Sequence, residues 1–354
     1  MREKVKVLVV DDSVVFRSII RSALDNLEDI EVIGVASNGR IALEKLKVIA
    51  VDLVILDLEM PELDGMGVLK ELSHLSLAVK VLLFSSLTQK GAAITLEALQ
   101  LGASDFVTKP DALTQGGDPK EKIKGLILPK IRGLFNLIEQ THDIKPPQVS
   151  LAEHKAFSAS LFELFLPKII TIGSSTGGPS VLEAIFHNIT GPLRCPIIIV
   201  QHMPPIFTQT LAERIHKITG IPCAEARDGE ELKNQIYLAP GNYHLRLKEN
   251  MGKVQMHLSQ DDLINFVRPA VDPLFESASM IFKEGCLGIV LTGMGQDGKI
   301  GSTHIKKNGG VMVIQEESSC VVFGMPGAVK NQGTYDFIKR PAEISAMLKT
   351  KASL

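Results

Sequence analysis

The sequence predicts an α/β protein built from two domains, each a largely parallel sheet covered by helices. Three observations lead there. Short runs rich in valine, isoleucine and leucine alternate with longer amphipathic stretches, the pattern of strands buried on both faces. The alternation stops near residue 140 and resumes at Lys168, after a segment holding Pro146 and Pro147. A chain of 354 residues with 45% hydrophobic residues has enough material for two separate cores.

In the first half the strand-like runs are Val5 to Val10, Val32 to Ala36, Leu53 to Leu56, Val79 to Phe84 and Asp105 to Thr108. Between them Val15, Ile19, Ala23 and Leu27 recur at helical spacing after Ser13, a candidate N-cap. Ile94, Ala98 and Leu101 do the same before Gly102. A last helix is expected from the capping box Asp118-Pro119-Lys120-Glu121 toward Gln140, kinked or interrupted at Pro129 and Gly133. Residues 141–167 read as a linker with an apolar patch, Leu161 to Leu166, that should dock. In the second half the runs are Lys168 to Gly173, Pro196 to Val200, Gln235 to Ala239, Leu287 to Thr292, Gly310 to Gln315 and Cys320 to Phe323. Helices are expected near Pro179 to Asn188, Ile206 to Thr219 and Pro273 to Phe282.

Bulk properties narrow the function. The formal net charge is -2 with both signs interspersed, which disfavours partners that need a broad field, such as nucleic acid or an anionic membrane. The charged start Met1 to Lys6 leads into an apolar run, Val7 to Val10, too short for a signal peptide or a membrane span. A cytoplasmic protein is expected. Cys195, Cys223, Cys286 and Cys320 lie far apart without metal-ligand spacing and read as reduced, mostly buried thiols.

Polar residues at the C-terminal ends of parallel strands face one crevice. In the first domain those ends supply Asp11 and Asp12, Asp57, Ser85, and Lys109 followed by Pro110. Three carboxylates brought together repel, and a hard divalent cation such as magnesium satisfies them. Each residue alone has an ordinary turn or surface explanation; all of them at four strand ends do not. Residues 1–140 closely resemble the receiver domain of two-component response regulators in VVDDS, LVILDLEMPELDG, LLFSS and DFVTKP. The resemblance implies a flavodoxin-like five-stranded sheet and makes Asp57 the acceptor of a phosphoryl group from a histidine kinase. It assigns magnesium to Asp12, Asp57 and the carbonyl of Glu59, with Asp11 assisting, and places Ser85 and Lys109 on phosphoryl oxygens. It also implies a cis Lys109-Pro110 bond and a switch role for Phe106.

The second domain reads the same way. After its first strand, Gly173 to Gly177 fits G-x-S-x-G, where small flanking residues allow a sharp turn that exposes Ser175. Alone, this is equally a glycine-rich connection able to cradle phosphate. His202 follows the next strand, and Asp297 lies in a glycine-rich turn after the strand ending at Thr292. Together they form the inventory of a nucleophile, its base and the acid that orients the base. Residues 168 to about 348 strongly resemble the catalytic domain of chemotaxis protein-glutamate methylesterases through GSSTGGPS, IIIVQHMPPIFT and GIVLTGMGQDG, within an expected catalytic domain of residues 168–354. The resemblance implies a catalytic set of Ser175, His202 and Asp297, with the Met294 N–H at the oxyanion and Thr176 holding the histidine. It implies hydrolysis of glutamate γ-methyl esters on chemoreceptors, activated by phosphorylation of Asp57, with glutamine deamidation as a side activity and no cofactor for the esterase.

Two other readings compete. Gly293, Gly295 and Gly298 spell G-x-G-x-x-G after a strand, with Glu316 where a ribose ligand would sit, as in nicotinamide-dependent enzymes. That fingerprint usually opens its domain and leaves Ser175 and His202 without a role. A signalling module that has lost catalysis is the other alternative, and the intact set of Ser175, His202 and Asp297 argues against it.

Overall fold

In the computed structural model the described residues are 3–75, 79–110, 118–137 and 159–353. They fall in two compact units, Met1–Glu139 and Gln140–Leu354.

The first unit runs β1 (Val5–Val10), α1 (Val14–Leu24), β2 (Ile30–Ala36), α2 (Gly39–Leu46), β3 (Leu53–Asp57), α3 (Gly65–Leu75), β4 (Lys80–Ser85), α4 (Gln89–Gln100), β5 (Asp105–Thr108) and α5 (Pro119–Leu134). Its five strands are all parallel, in the order β2-β1-β3-β4-β5. The order reverses between β1 and β3, which opens a crevice at their C-terminal ends. Ser13 caps α1, accepting from Phe16 N. The buried face of α1 is Ile20, Ala23 and Leu24; Val15 faces outward at 50% exposure, and Leu27 lies beyond the helix. Asp118 caps α5 through Lys120 N, and the helix continues through Pro129 and Gly133 to Leu134. The expected extension toward Gln140 is not met: the helix stops at Leu134 with Phe135 as its C-cap, and residues 138–140 lie outside the described ones.

The second unit begins with α6 (Ala159–Leu164) and continues β6 (Ile169–Ser174), α7 (Gly178–Phe186), β7 (Ile197–Gln201), α8 (Phe207–Thr219), β8 (Cys223–Glu225), β9 (Ile236–Leu238), β10 (His244–Asn250) and β11 (Lys253–Ser259). It closes with α9 (Val271–Phe282), β12 (Cys286–Val290), α10 (Lys299–Lys307), β13 (Val311–Gln315), α11 (Gly324–Gln332), β14 (Phe337–Lys339) and α12 (Pro341–Ala352). Seven strands form a parallel sheet, β14-β13-β12-β6-β7-β9-β8, and β10 pairs with β11 in a separate antiparallel hairpin. The sheet strands are apolar on both faces: β6, β7, β12 and β13 are buried at every position. That continuous burial is what the unbroken Ile/Val/Leu runs encode.

Cys320 to Phe323 is not a strand. The N–H groups of Val321 and Val322 both donate to Thr292 Oγ1 at 3.1 Å, so a buried hydroxyl replaces a strand partner, and only a bridge from Phe323 to Gly293 remains. In the apolar patch at the end of the expected linker, Phe162 packs on Phe337 with centroids 4.4 Å apart, while Leu161, Leu164 and Leu166 keep much of their surface exposed. Lys351 of α12 fixes the end of α6 by donating to the carbonyls of Phe162 and Glu163. Cys195 and Cys286 are buried, Cys223 and Cys320 half-buried, and burial pushes all four thiols up to about 12. No helix among the described residues is long and apolar enough to cross a membrane.

Candidate functional sites

In the first unit, β1, β3, β4 and β5 deliver their terminal residues to one cavity of about 240 Å³, lined by Asp12, Asp57, Glu59, Ser85 and Lys109 among others. Asp11 and Asp57 are nearly buried, and Lys109 Nζ reaches both, 2.9 Å from Asp11 Oδ2 and 2.8 Å from Asp57 Oδ2. Burial pushes Asp57 up to about 6, against the opposing pull of Lys109, while the neighbouring Asp11 charge adds to the rise. Lys109 is itself disfavoured as a cation by burial, but its bonds to Asp57 and Asp11 outweigh that and hold it above its ordinary value.

One oxygen each of Asp11, Asp12 and Asp57 lies within 4.8 Å of the others. Asp11 Oδ2 is buried, with the Lys109 ammonium as its ion-pair partner. A hard divalent cation suits this converging set of mutually repelling carboxylate oxygens. Ser85 lines the cavity, but its hydroxyl is paired with Thr95 Oγ1 at 2.6 Å rather than directed at Asp57. Phe106 is buried on β5. The bond between Lys109 and Pro110 is trans, contrary to expectation; the cis bond among the described residues joins Arg268 and Pro269. Lys109 spans both carboxylates without it.

In the second unit the three expected residues follow three adjacent strands: Ser175 after β6, His202 after β7 and Asp297 after β12, with β6 in the middle. Strand order reverses at β6, so this is again the crevice at a topological switch point. The turn that presents Ser175 is tight. Its N–H donates to Thr292 O, its carbonyl accepts from Gly178 N and from Gln201 Nε2, and Gly177 takes φ 77° before α7. A Cβ at Gly293 would meet Ser175 Cβ at 2.8 Å and Met325 Sδ at 2.4 Å, so glycine is what lets the loop after β12 lie against the serine.

His202 Nε2 lies 2.7 Å from Asp297 Oδ2, and both side chains are nearly buried. The imidazole therefore presents Nδ1 as its free nitrogen. Asp297 also accepts from the N–H groups of Val271 (2.6 Å), Asp272 (3.1 Å) and Gly298 (3.0 Å), and from Asn265 Nδ2 (3.3 Å). Two of those donors open α9, whose positive end favours an anion. Burial works against ionised Asp297, but the bond to His202 and the backbone donors prevail and hold the carboxyl below its ordinary value. Ser175 Oγ makes no hydrogen bond among the described residues; in resting hydrolases this contact commonly tightens only with substrate bound.

Met294 follows Gly293, and its N–H donates to no group among the described residues. Thr176 is buried, with its carbonyl accepting from Thr292 Oγ1. Glu316, the ribose-binding candidate of the competing reading, is engaged by Arg340 at 2.8 Å. Three residues that sequence reasoning did not single out stand beside the site: Gln201, whose amide bridges Ser174 Oγ and Ser175 O, and Asn265 and Asp272 around Asp297. Gln201 lies directly before His202, a cue in hindsight; Asn265 carried none beyond a turn-forming residue type.

The fold and geometry thus define a receiver-type unit joined to an α/β unit with a serine-hydrolase arrangement. Residues 7–115 match the response regulator receiver domain and residues 170–348 match the CheB methylesterase family. The chain is 42% identical to a protein-glutamate methylesterase/protein-glutamine glutaminase of Trichodesmium erythraeum, covering 95% of each. It is 40% identical to the protein of the same name from Thermotoga maritima, covering 94% of each. The crystal structure of the Thermotoga maritima CheB methylesterase catalytic domain matches with a TM-score of 0.50 and 43% identity, over 52% of this chain and 97% of that one. The chain belongs to the CheB methylesterase family.

Proposed function

We propose that the protein is a phosphorylation-activated hydrolase that removes γ-methyl esters from glutamates of chemoreceptors, releasing methanol, and deamidates glutamines there as a side activity. The observation that carries this reading is the His202–Asp297 pair, 2.7 Å apart at the switch point where the turn after β6 presents Ser175. In this mechanism Ser175 Oγ attacks the ester carbonyl and its proton passes to His202 Nδ1. The N–H of Met294 receives the developing oxyanion. Collapse expels methoxide, which takes the proton from His202 and leaves as methanol, with the acyl group on Ser175. A water deprotonated by His202 then attacks the acyl-enzyme, releasing glutamate and restoring the serine. With a glutamine substrate, ammonia leaves in place of methanol. Thr176 is assigned to holding the histidine.

In the receiver, comprising residues 1–140, an Asp57 carboxylate oxygen attacks the phosphorus of a phosphohistidine on a chemotaxis histidine kinase, so that the P–N bond breaks, the histidine leaves free and an aspartyl phosphate forms. Asp12, Asp57 and the Glu59 carbonyl, with Asp11, would hold magnesium, which supplies positive charge for the phosphoryl oxygens. Ser85 turns from Thr95 toward the new phosphoryl group, and Lys109 neutralises it. Residues 141–167 are assigned as the linker, whose end folds as α6 onto the second unit, and 168–354 as the catalytic domain. Acting on receptor regions inside the cell places the protein in the cytoplasm.

The test is methanol release from methylated receptor membranes by full-length protein with magnesium and a small phosphodonor. Release above the membrane-only background supports the reading; none, under several donors, removes it.

A further inference from the structure

Behind the triad lies a second layer that the mechanism above does not use. Ile264 and Val267 close a two-residue turn, each N–H donating to the other's carbonyl at 3.2 and 3.0 Å. The central residues Asn265 and Phe266 both have positive φ, 52° and 63°, as in a type I′ turn. Asparagine tolerates this region, but for phenylalanine it is strained, and Phe266 gains no burial in return, being 92% exposed. What the strained turn achieves is the placement of Asn265. Its Nδ2 lies 3.3 Å from Asp297 Oδ1 and 3.3 Å from Asp272 Oδ2, bridging two buried carboxyl groups.

Asp272 sits in the first turn of α9. Its backbone N–H donates to Asp297, and its Oδ1 accepts from Gly301 N of α10 at 2.7 Å. No lysine, arginine or histidine among the described residues comes within ion-pair distance of it. A carboxyl so buried, facing another carboxylate and no cation, favours its neutral form. Burial and the Asp297 charge push it up to about 7.

We propose that Asn265 and Asp272 are positioning residues of this hydrolase: the Asn265 amide and the Asp272 backbone N–H together keep the Asp297 carboxylate aimed at His202. The inference rests on the hydrolase reading. Ionised Asp272 sets a second negative charge behind Asp297 with no cation beside it among the described residues. Around Asp272 stand Asp297, with His202 beyond it, and His244 of β10, whose Nδ1 accepts from Ala270 N just before α9. Glu276 on the same helix is half exposed and faces His304 of α10 at 3.8 Å, and Lys299 opens α10. Arg268, beyond the turn, is taken up by Asn242 and the carbonyls of Gln260 and Asp261.

The test compares full-length wild type, Asp272→Asn, Asn265→Ala and Asn265→Asp on receptor methyl esters, recording kcat, KM, thermal melting and the pH profile of kcat/KM. Asp272→Asn keeps the size and the acceptor for Gly301 N but sets an NH2 donor against Asn265 Nδ2, and it removes the ionisable group behind Asp297, so kcat should fall and the pH profile of kcat/KM should lose one ionisation. Asn265→Ala should lower kcat roughly tenfold with KM nearly unchanged. Asn265→Asp, which suits the same turn, should lower kcat as well because it replaces the donor with a third acceptor. A wild-type pH profile in Asp272→Asn, or wild-type kcat in Asn265→Asp, overturns the inference. So does a rate loss in both that only follows lowered melting. A wild type that releases no methanol overturns the hydrolase reading and this inference with it; an active wild type with unchanged variants overturns the inference alone.

Discussion

Asp297 holds His202 by Nε2 at 2.7 Å while four further donors hold Asp297, so the acid of the pair is fixed from behind and the imidazole from one side. The carboxylate also caps α9. Asp297→Ala should therefore do two things: lower turnover, by less than loss of Ser175 or His202, and destabilise the fold by about 1–3 kcal/mol as backbone donors lose their acceptor. Methanol release and thermal melting of the three alanine variants check both. Ser175→Ala should lose roughly 10⁴-fold or more in turnover with little change in melting.

Gly293 tests the packing that presents the serine. A methyl group there would collide with Ser175 Cβ and Met325 Sδ, so Gly293→Ala should displace the serine turn and the Met294 N–H together. The expected result is a large fall in kcat with a stability loss of about 1–3 kcal/mol. Receptor methyl-ester kinetics and a melting curve report it.

The receiver carboxylates give a pH dependence. Asp57 is raised from 3.8 to about 6 in the folded protein, so this group's contribution to stability is present below about 4 and is lost as pH rises through about 6. A divalent cation binds the ionised form and releases that proton. Magnesium affinity, measured by calorimetry, should therefore weaken progressively below pH about 6 and level off above it. In Asp57→Asn the pH dependence should be smaller and binding weaker throughout.

Phosphorylation should follow the same carboxylate. With magnesium and a small phosphodonor the wild type should gain one alkali-labile phosphoryl group, and Asp57→Asn should gain none. Methanol release should rise on adding donor to wild type and stay flat in the variant. Intact-mass spectrometry alongside the rate assay separates failure of phosphorylation from failure of activation.

The strand ends were legible because parallel strands buried on both faces leave unbroken apolar runs, and the residue that follows each run lands at one rim. That is why Asp57, Ser175, His202 and Asp297 could be placed from sequence. The same rule misled at Cys320 to Phe323, an apolar run whose backbone donors are taken by Thr292 Oγ1. It also passed over α10, which is rich in lysine and whose apolar positions are few. The rotated face of α1 reflects a similar limit: Val15 and Ile20 are equally apolar, and packing against the sheet decides which is buried. Asn265 and Asp272 were invisible for a different reason. An asparagine in a turn and an aspartate at a helix start are ordinary residues, and only the fold brings them to Asp297 from 32 and 25 positions away.

The central claim is that Ser175 is the nucleophile, and a serine-directed phosphonate tests it most directly. Incubated with the wild type and mapped by peptide mass spectrometry, it should leave one adduct, on Ser175, in parallel with loss of methanol release. His202→Ala should label far more slowly. An adduct on another residue accompanying the loss, or full inhibition-free turnover with Ser175 labelled, would contradict the account.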